Sequence, residues 1–235
     1  MMHPTDKAAR IAGAIYLSMV VTGPFCLLYV PNKVIARGNA TATAANVLAH
    51  ETLFRSGIVA ELIGVVIFIL VVMALYRLLK DVNTTHATHM VALVLVSAAV
   101  EFINVLNNIA ALMLFRGTDF LAVLDKPQRD ALGMFFLRLH GQGELINEIF
   151  WGLWLLPFGI LVMRSRFLPR ILGVLLIING FTYVIVSLTT LLFPAYANVV
   201  DRYAFIPETG ELWVMLWLVI MGAKVDPVAE PLPAR

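Results

Sequence analysis

The stretch LRLHGQGELINEIFWGLWLLPFGILVM, residues 137–163, decides the fold. Its first half carries His140, Gln142, Glu144, Asn147 and Glu148, whereas from Trp151 onward it holds no charged side chain. Together with the residues just before it, this apolar run approaches the about 20 residues that span a bilayer as a helix. It lacks the two-residue alternation of a barrel strand. A histidine and two carboxylates that run straight into lipid-compatible sequence need partners at membrane depth, and the rest of the chain has to supply them.

Five further segments qualify as spans: residues 11–30, 54–76, 90–115, 171–193 and 211–223, the last starting as early as Pro207. The expected fold is an all-α integral membrane bundle of six transmembrane helices, with short interfacial helices in the outer loops. A single six-helix domain would cover residues 1–225, and the proline-containing tail at 226–235 would be disordered. Composition agrees. The 235 residues are 60% hydrophobic and 14% charged, with a mean hydropathy of +0.88, whereas soluble domains are about half apolar and a quarter charged. The lipid bilayer is therefore the first partner. A net charge of +2, spread along the connections, gives no footprint for nucleic acid. Cys26, the lone cysteine, excludes an intrachain disulfide and a multi-cysteine metal cluster. Lys7 and Arg10 precede an apolar run longer than a signal-peptide core, so the first segment reads as a retained helix.

Orientation follows from basic residues. Lys7, Arg10, Arg77, Lys80, Arg164, Arg166, Arg170, Lys224 and Arg235 fall on one side, mostly in short connections. Lys33, Arg37, Arg55, Arg116, Lys126, Arg129, Arg138 and Arg202 are diluted over longer loops on the other. Density places both termini in the cytoplasm. In the outer loops, residues 39–51 and 127–139 read as short helices lying on the headgroups. THATH, residues 85–89, reads as a solvated loop.

Four stretches carry a family likeness: RIAG at 10–13, TATAANVLA at 41–49, FLPRILGVLL at 167–176 and GELWVMLWL at 210–218. They resemble the bacterial multi-pass membrane proteins grouped as domain of unknown function 4386, and the resemblance spans nearly the whole chain. It implies a bacterial cytoplasmic (inner) membrane protein and carries over no reaction, cofactor or site residue.

The polar residues suggest a site. Ser97, Glu101, Asn104 and Asn108 follow one another at i, i+4, i+7 and i+11, one face of the third helix. His140, Glu144 and Glu148 are four apart and can line one face of the fourth, a spacing that suits a divalent metal or a proton relay. Glu-Leu pairs at Glu61, Glu144 and Glu211 recur in the outer parts of alternate helices. Plainer readings stand beside these. The asparagines can simply join helices, and Gly141 and Gly143 can mark a helix entrance with Glu144 at its positive end. Trp154 and Trp217 lie too deep for an interfacial belt and are candidates to wall a cavity.

The expected ligand-binding residues are Glu61, Glu101, Asn104, Asn108, His140, Glu144, Glu148 and Glu211, with His140, Glu144 and Glu148 as metal candidates. No Lys or Arg lies deep in any span, so a cation or small cationic ligand, a divalent metal, or protons must balance the carboxylates. A cation-binding protein, and in its fuller form a carrier, leads. A membrane-embedded metal-dependent hydrolase and a non-catalytic scaffold or sensor are the alternatives. Against a carrier stands the lack of a visible Gly/Pro-broken pair of helices. The choice between enzyme, carrier and scaffold, and the oligomeric state, stay open at this level.

Overall fold

A computed structural model describes residues 3–224; the tail expected at 226–235 lies outside them. The described residues form helices and no strand. In chain order these are α1 (Pro4–Pro24), a π-helical turn (Phe25–Tyr29), α2 (Val30–Val34), α3 (Ala40–Ala49), α4 (Glu51–Leu79), α5 (Thr84–Arg116), α6 (Lys126–Arg164), α7 (Arg170–Leu192), α8 (Ala197–Glu208) and α9 (Gly210–Ile220). Six helical stretches are long and apolar enough to cross a membrane, with Pro4–Val34 and Pro194–Ile220 forming the first and last. The outward face of α4 shows why lipid must be the solvent. Val59, Ile63, Val66 and Leu70 recur at helical spacing and are about half exposed, an apolar stripe that water would not tolerate.

The helix ends are set by local chemistry. Asn83 caps α5 by accepting from the His86 amide, and Gly117, at φ 67°, closes it in a left-handed turn. Asp125 and Gln128 form a reciprocal capping box at the start of α6, with Pro127 in the first turn. The two histidines of residues 85–89 therefore lie in the opening turns of α5 and not in a loop. The Asn83 cap, which precedes them, starts the helix early.

The largest departure from expectation is α6. It is a single helix of 39 residues, about 58 Å long, so residues 127–139 are its first turns and not a separate helix on the headgroups. Gly141 and Gly143 lie inside it. A Cβ on Gly143 would coincide with the Asn104 side chain, whereas one on Gly141 would meet nothing within 4 Å. Gly143 thus lets α5 approach α6, and Asn104 Nδ2 donates to the His140 carbonyl at 3.1 Å in the space gained.

Further along, α6 and α7 are joined by two glycine pairs. A Cβ on Gly152 would strike the Gly180 carbonyl, and one on Gly173 the Gly159 carbonyl. Only glycine permits backbones this close. At the face that holds the termini, Arg10 Nη1 donates to the carbonyls of Val219 and Ile220, and Asp6 Oδ1 accepts from the Ala223 amide. A Cβ on Gly13 would lie 2.6 Å from Leu218 Cβ, so α1 and α9 are clamped together at this end.

Two apolar cores result. One, near the terminal face, contains Tyr16, Phe68, Leu75, Trp154, Phe158 and Leu218. The other, at the far face, contains Val30, Val47, Phe54, Val105, Phe115 and Leu137. Glu61 lies between Ile58 of the far core and Phe68 of the near core along α4, and Glu101 between Val105 and Val94 along α5. A polar layer separates the cores.

The continuity of α6 sets a contrast between its two glycines. Gly141→Ala is expected to stabilise the protein by about 0.5–1 kcal/mol, since a helical glycine gains from a Cβ with free space. Gly143→Ala should destabilise it by about 1–3 kcal/mol, as overpacking does. Thermal unfolding in detergent reads both, and equal effects would contradict the fit of Asn104 against Gly143.

Candidate functional site

The polar faces of three helices converge. Glu61 on α4, Glu101 on α5, and His140 and Glu144 on α6 each offer a ligand atom, and these four atoms lie within 4.8 Å of one another. His140 Nε2 is 2.7 Å from Glu61 Oε1 and 3.5 Å from Glu144 Oε1. The second Glu61 oxygen accepts from Asn108 Nδ2 at 3.2 Å. Asn147 organises the other side: its Nδ2 donates to Glu101 Oε2 and its Oδ1 accepts from Ser97 Oγ, both at 2.8 Å. Every member of the α5 stripe is therefore engaged, with Asn104 on the His140 carbonyl. Glu101 stands near the middle of its helix, about 26 Å from one end and 22 Å from the other.

Electrostatics make this arrangement incomplete without positive charge. Glu61 and Glu101 are 6% and 7% exposed. Two carboxylates about 5 Å apart repel by about 3 kcal/mol at an effective dielectric of 20. Both oxygens of Glu144 are shielded from solvent, and among the described residues neither accepts a hydrogen bond. Bare carboxylates there need a cation or protons between them.

The group opens onto a cavity of about 440 Å³. Glu61, Glu101, Glu144 and Asn147 line one part of it, and Tyr16, Tyr183, Glu208 and Glu211 another. Phe68, Trp151 and Trp154 form much of the wall between. Tyr16 meets Trp154 edge-on at 5.9 Å, and Trp151 meets Tyr183 likewise at 6.2 Å. Among the described residues no Lys or Arg lines this cavity.

Two of the residues singled out by sequence stand apart from the four donors. Glu211 lies in the second part of the cavity, where the Tyr16 hydroxyl donates to its Oε1 and Asn179 Nδ2 lies 3.5 Å from Oε2. Glu148 is on α6, one turn of about 6 Å beyond Glu144, outside the group of four and without a hydrogen bond to its Oε2 among the described residues. Trp217 does not line the cavity; Lys224 Nζ stands 5.7 Å from its ring.

The model of a family described as Domain of unknown function (DUF4386) matches residues 11–222. The chain belongs to this family. An uncharacterized protein of Archaeoglobus fulgidus is 30% identical over 173 residues, which cover 74% of this chain and 88% of that protein. No solved structure matches the chain.

Two spans of this DUF4386 protein depart from regular α-helix beside the cavity. Pro24 ends α1 and passes it without a break into the π-helical turn Phe25–Tyr29, and Thr209, two residues after Pro207, separates α8 from α9. Thr22, Gly23, Pro24 and Cys26 from the first, with Glu208, Thr209 and Glu211 from the second, line the cavity. A widened π turn is a common mark of functional sites. Tyr16 is the residue that sequence reasoning passed over. Its signal was a phenol two turns into an apolar span, a group that needs a buried acceptor.

Asn147 ties Ser97 to Glu101, so Asn147→Ala leaves two buried polar groups without that partner. The variant is expected to lose about 1–3 kcal/mol of stability, measured by thermal unfolding in detergent against Asn107→Ala, whose side chain reaches only Asn104.

Proposed function

We propose that this protein binds a divalent cation through Glu61, Glu101, His140 and Glu144 and carries it across the membrane. The reading rests on one observation: four donor atoms from three helices within 4.8 Å of one another. The unpartnered oxygens of Glu144 support it. Three carboxylates with one imidazole and no thiolate suit a borderline cation such as Mn²⁺, Fe²⁺ or Zn²⁺. The π turn of the first span and the Thr209 junction of the last, both beside the cavity, favour carriage, because transporters commonly form their sites at irregular helical segments at membrane depth. The density of Lys and Arg supports cytoplasmic termini and donors toward the outer half of a cytoplasmic membrane.

A second reading, a metal-dependent hydrolase, is favoured by the cavity itself, whose about 440 Å³ adjoin the donors and leave room for an organic substrate. There the ion would activate water or polarise a carbonyl, with a neighbouring carboxylate moving the proton.

Elemental analysis of detergent-purified protein is the test. Wild type should contain stoichiometric transition metal, and Glu101→Gln and His140→Ala should lose most of it. In reconstituted vesicles enclosing a metal indicator, a carrier should admit Mn²⁺ and Glu101→Gln should not. Tightly held metal without uptake would move the assignment to the hydrolase. No metal on isolation and none bound on titration would overturn both readings and leave the polar layer a packing device.

A further inference from the structure

The cavity has an opening that the ion does not explain. At the terminal face α1 is clamped to α9 by Gly13, Arg10 and Asp6. In the other half α1 turns at Pro24 into the π-helical segment, while α8 packs on α7. Beside these elements lie Val20, Leu27, Phe205 and Leu212, which line the cavity and are also 43%, 39%, 72% and 37% exposed. Apolar side chains that are at once cavity wall and outer surface, on spans immersed in lipid, border an entrance from the hydrocarbon layer.

Behind the entrance the lining changes character. Trp151 and Tyr183, half-buried and edge-on to each other, turn rings toward the space, Tyr16 and Trp154, each 1% exposed, pack behind them, and Glu211 and Glu208 add carboxyl groups. Aromatic faces and carboxylates attract the same partner, a positive charge. An anionic head would meet only like charge, since no Lys or Arg lines the cavity among the described residues. A fully hydrated metal ion has no use for the apolar mouth. The volume, about 440 Å³, falls within the usual range for small organic ligands, about 300–1,000 Å³.

We infer that the cavity takes an amphipathic organic cation, a single-chain amine, which enters sideways from the bilayer between α1 and α8. Its ammonium group sits beside Trp151, Tyr183 and Glu211, and its alkyl chain leaves past Val20, Leu27, Phe205 and Leu212. This site goes beyond the metal reading and does not rest on it, because none of its residues is one of the four metal donors and His140 does not line this cavity.

Gly23 offers a clean way to close the mouth. It lines the cavity, and a Cβ built there meets nothing within 4 Å, so a larger side chain starts from open space beside the mouth. The protein is prepared in nanodiscs with Trp213, which faces outward, replaced by Phe to reduce fluorescence from the lipid side. A nitroxide-labelled dodecylamine is then titrated while tryptophan fluorescence is read. The expected result is saturable quenching that unlabelled dodecylamine relieves and laurate does not. Gly23→Phe should abolish the saturable part, and Glu211→Gln should weaken binding at least tenfold, with unfolding temperature and metal content measured on the same samples. Quenching that never saturates, relief by laurate equal to that by the amine, or unchanged binding in folded Gly23→Phe would overturn the inference. Amine binding by protein that holds no metal would sink the metal reading alone, and metal-loaded protein blind to the amine would sink this one alone.

Discussion

A carboxylate inside a bilayer must find hydrogen-bond donors or positive charge, and the packing of α4, α5 and α6 follows from that constraint. Glu101 is met by Asn147, which is itself held by Ser97; Glu61 is met by Asn108 and His140. None of these contacts lies within one helix. Each fixes the rotation and the depth of one span against another, which uniform lipid-like contacts between apolar helices would leave weakly specified. Apolar cores flank the layer on either side, which strengthens its internal electrostatic interactions relative to water.

The bundle is tight where glycine allows it and open where it does not close. The Gly152–Gly180 and Gly159–Gly173 contacts hold α6 to α7, and the Asp6–Arg10 clamp holds α1 to the end of α9. These close the half that holds the termini. In the other half α1 passes into a π turn and Thr209 separates α8 from α9. The cavity lies beside both, lined by the carboxylates of the polar layer and by aromatic rings.

Much of this was legible without coordinates. Continuous apolar runs identify six helices, because a backbone in lipid has to satisfy its own hydrogen bonds. The stripe of Ser97, Glu101, Asn104 and Asn108 was visible because helical period alone puts these residues on one face. His140 and Glu144 were visible for the same reason. The Pro127 helix start was readable from cap chemistry that is local to a few residues. The length of α6 was not, since Gly141 and Gly143 read as punctuation until a neighbour explains one of them.

What the sequence by itself determined is therefore the solvent, the helices and the faces on which polar residues lie, all consequences of composition and local periodicity. Tertiary structure alone decided which faces meet. It brought Glu61 to His140 and Glu101 to Asn147, placed Glu211 with Tyr16, and left Glu148 outside the four donors. The physical reason is that depth and rotation of one span relative to another depend on close contacts between distant residues, such as Asn104 against Gly143, whose sequence separation leaves no local signal. The lateral opening arises in the same way, between the first and last spans, whose direct contacts join residues 209 and 210 positions apart in sequence.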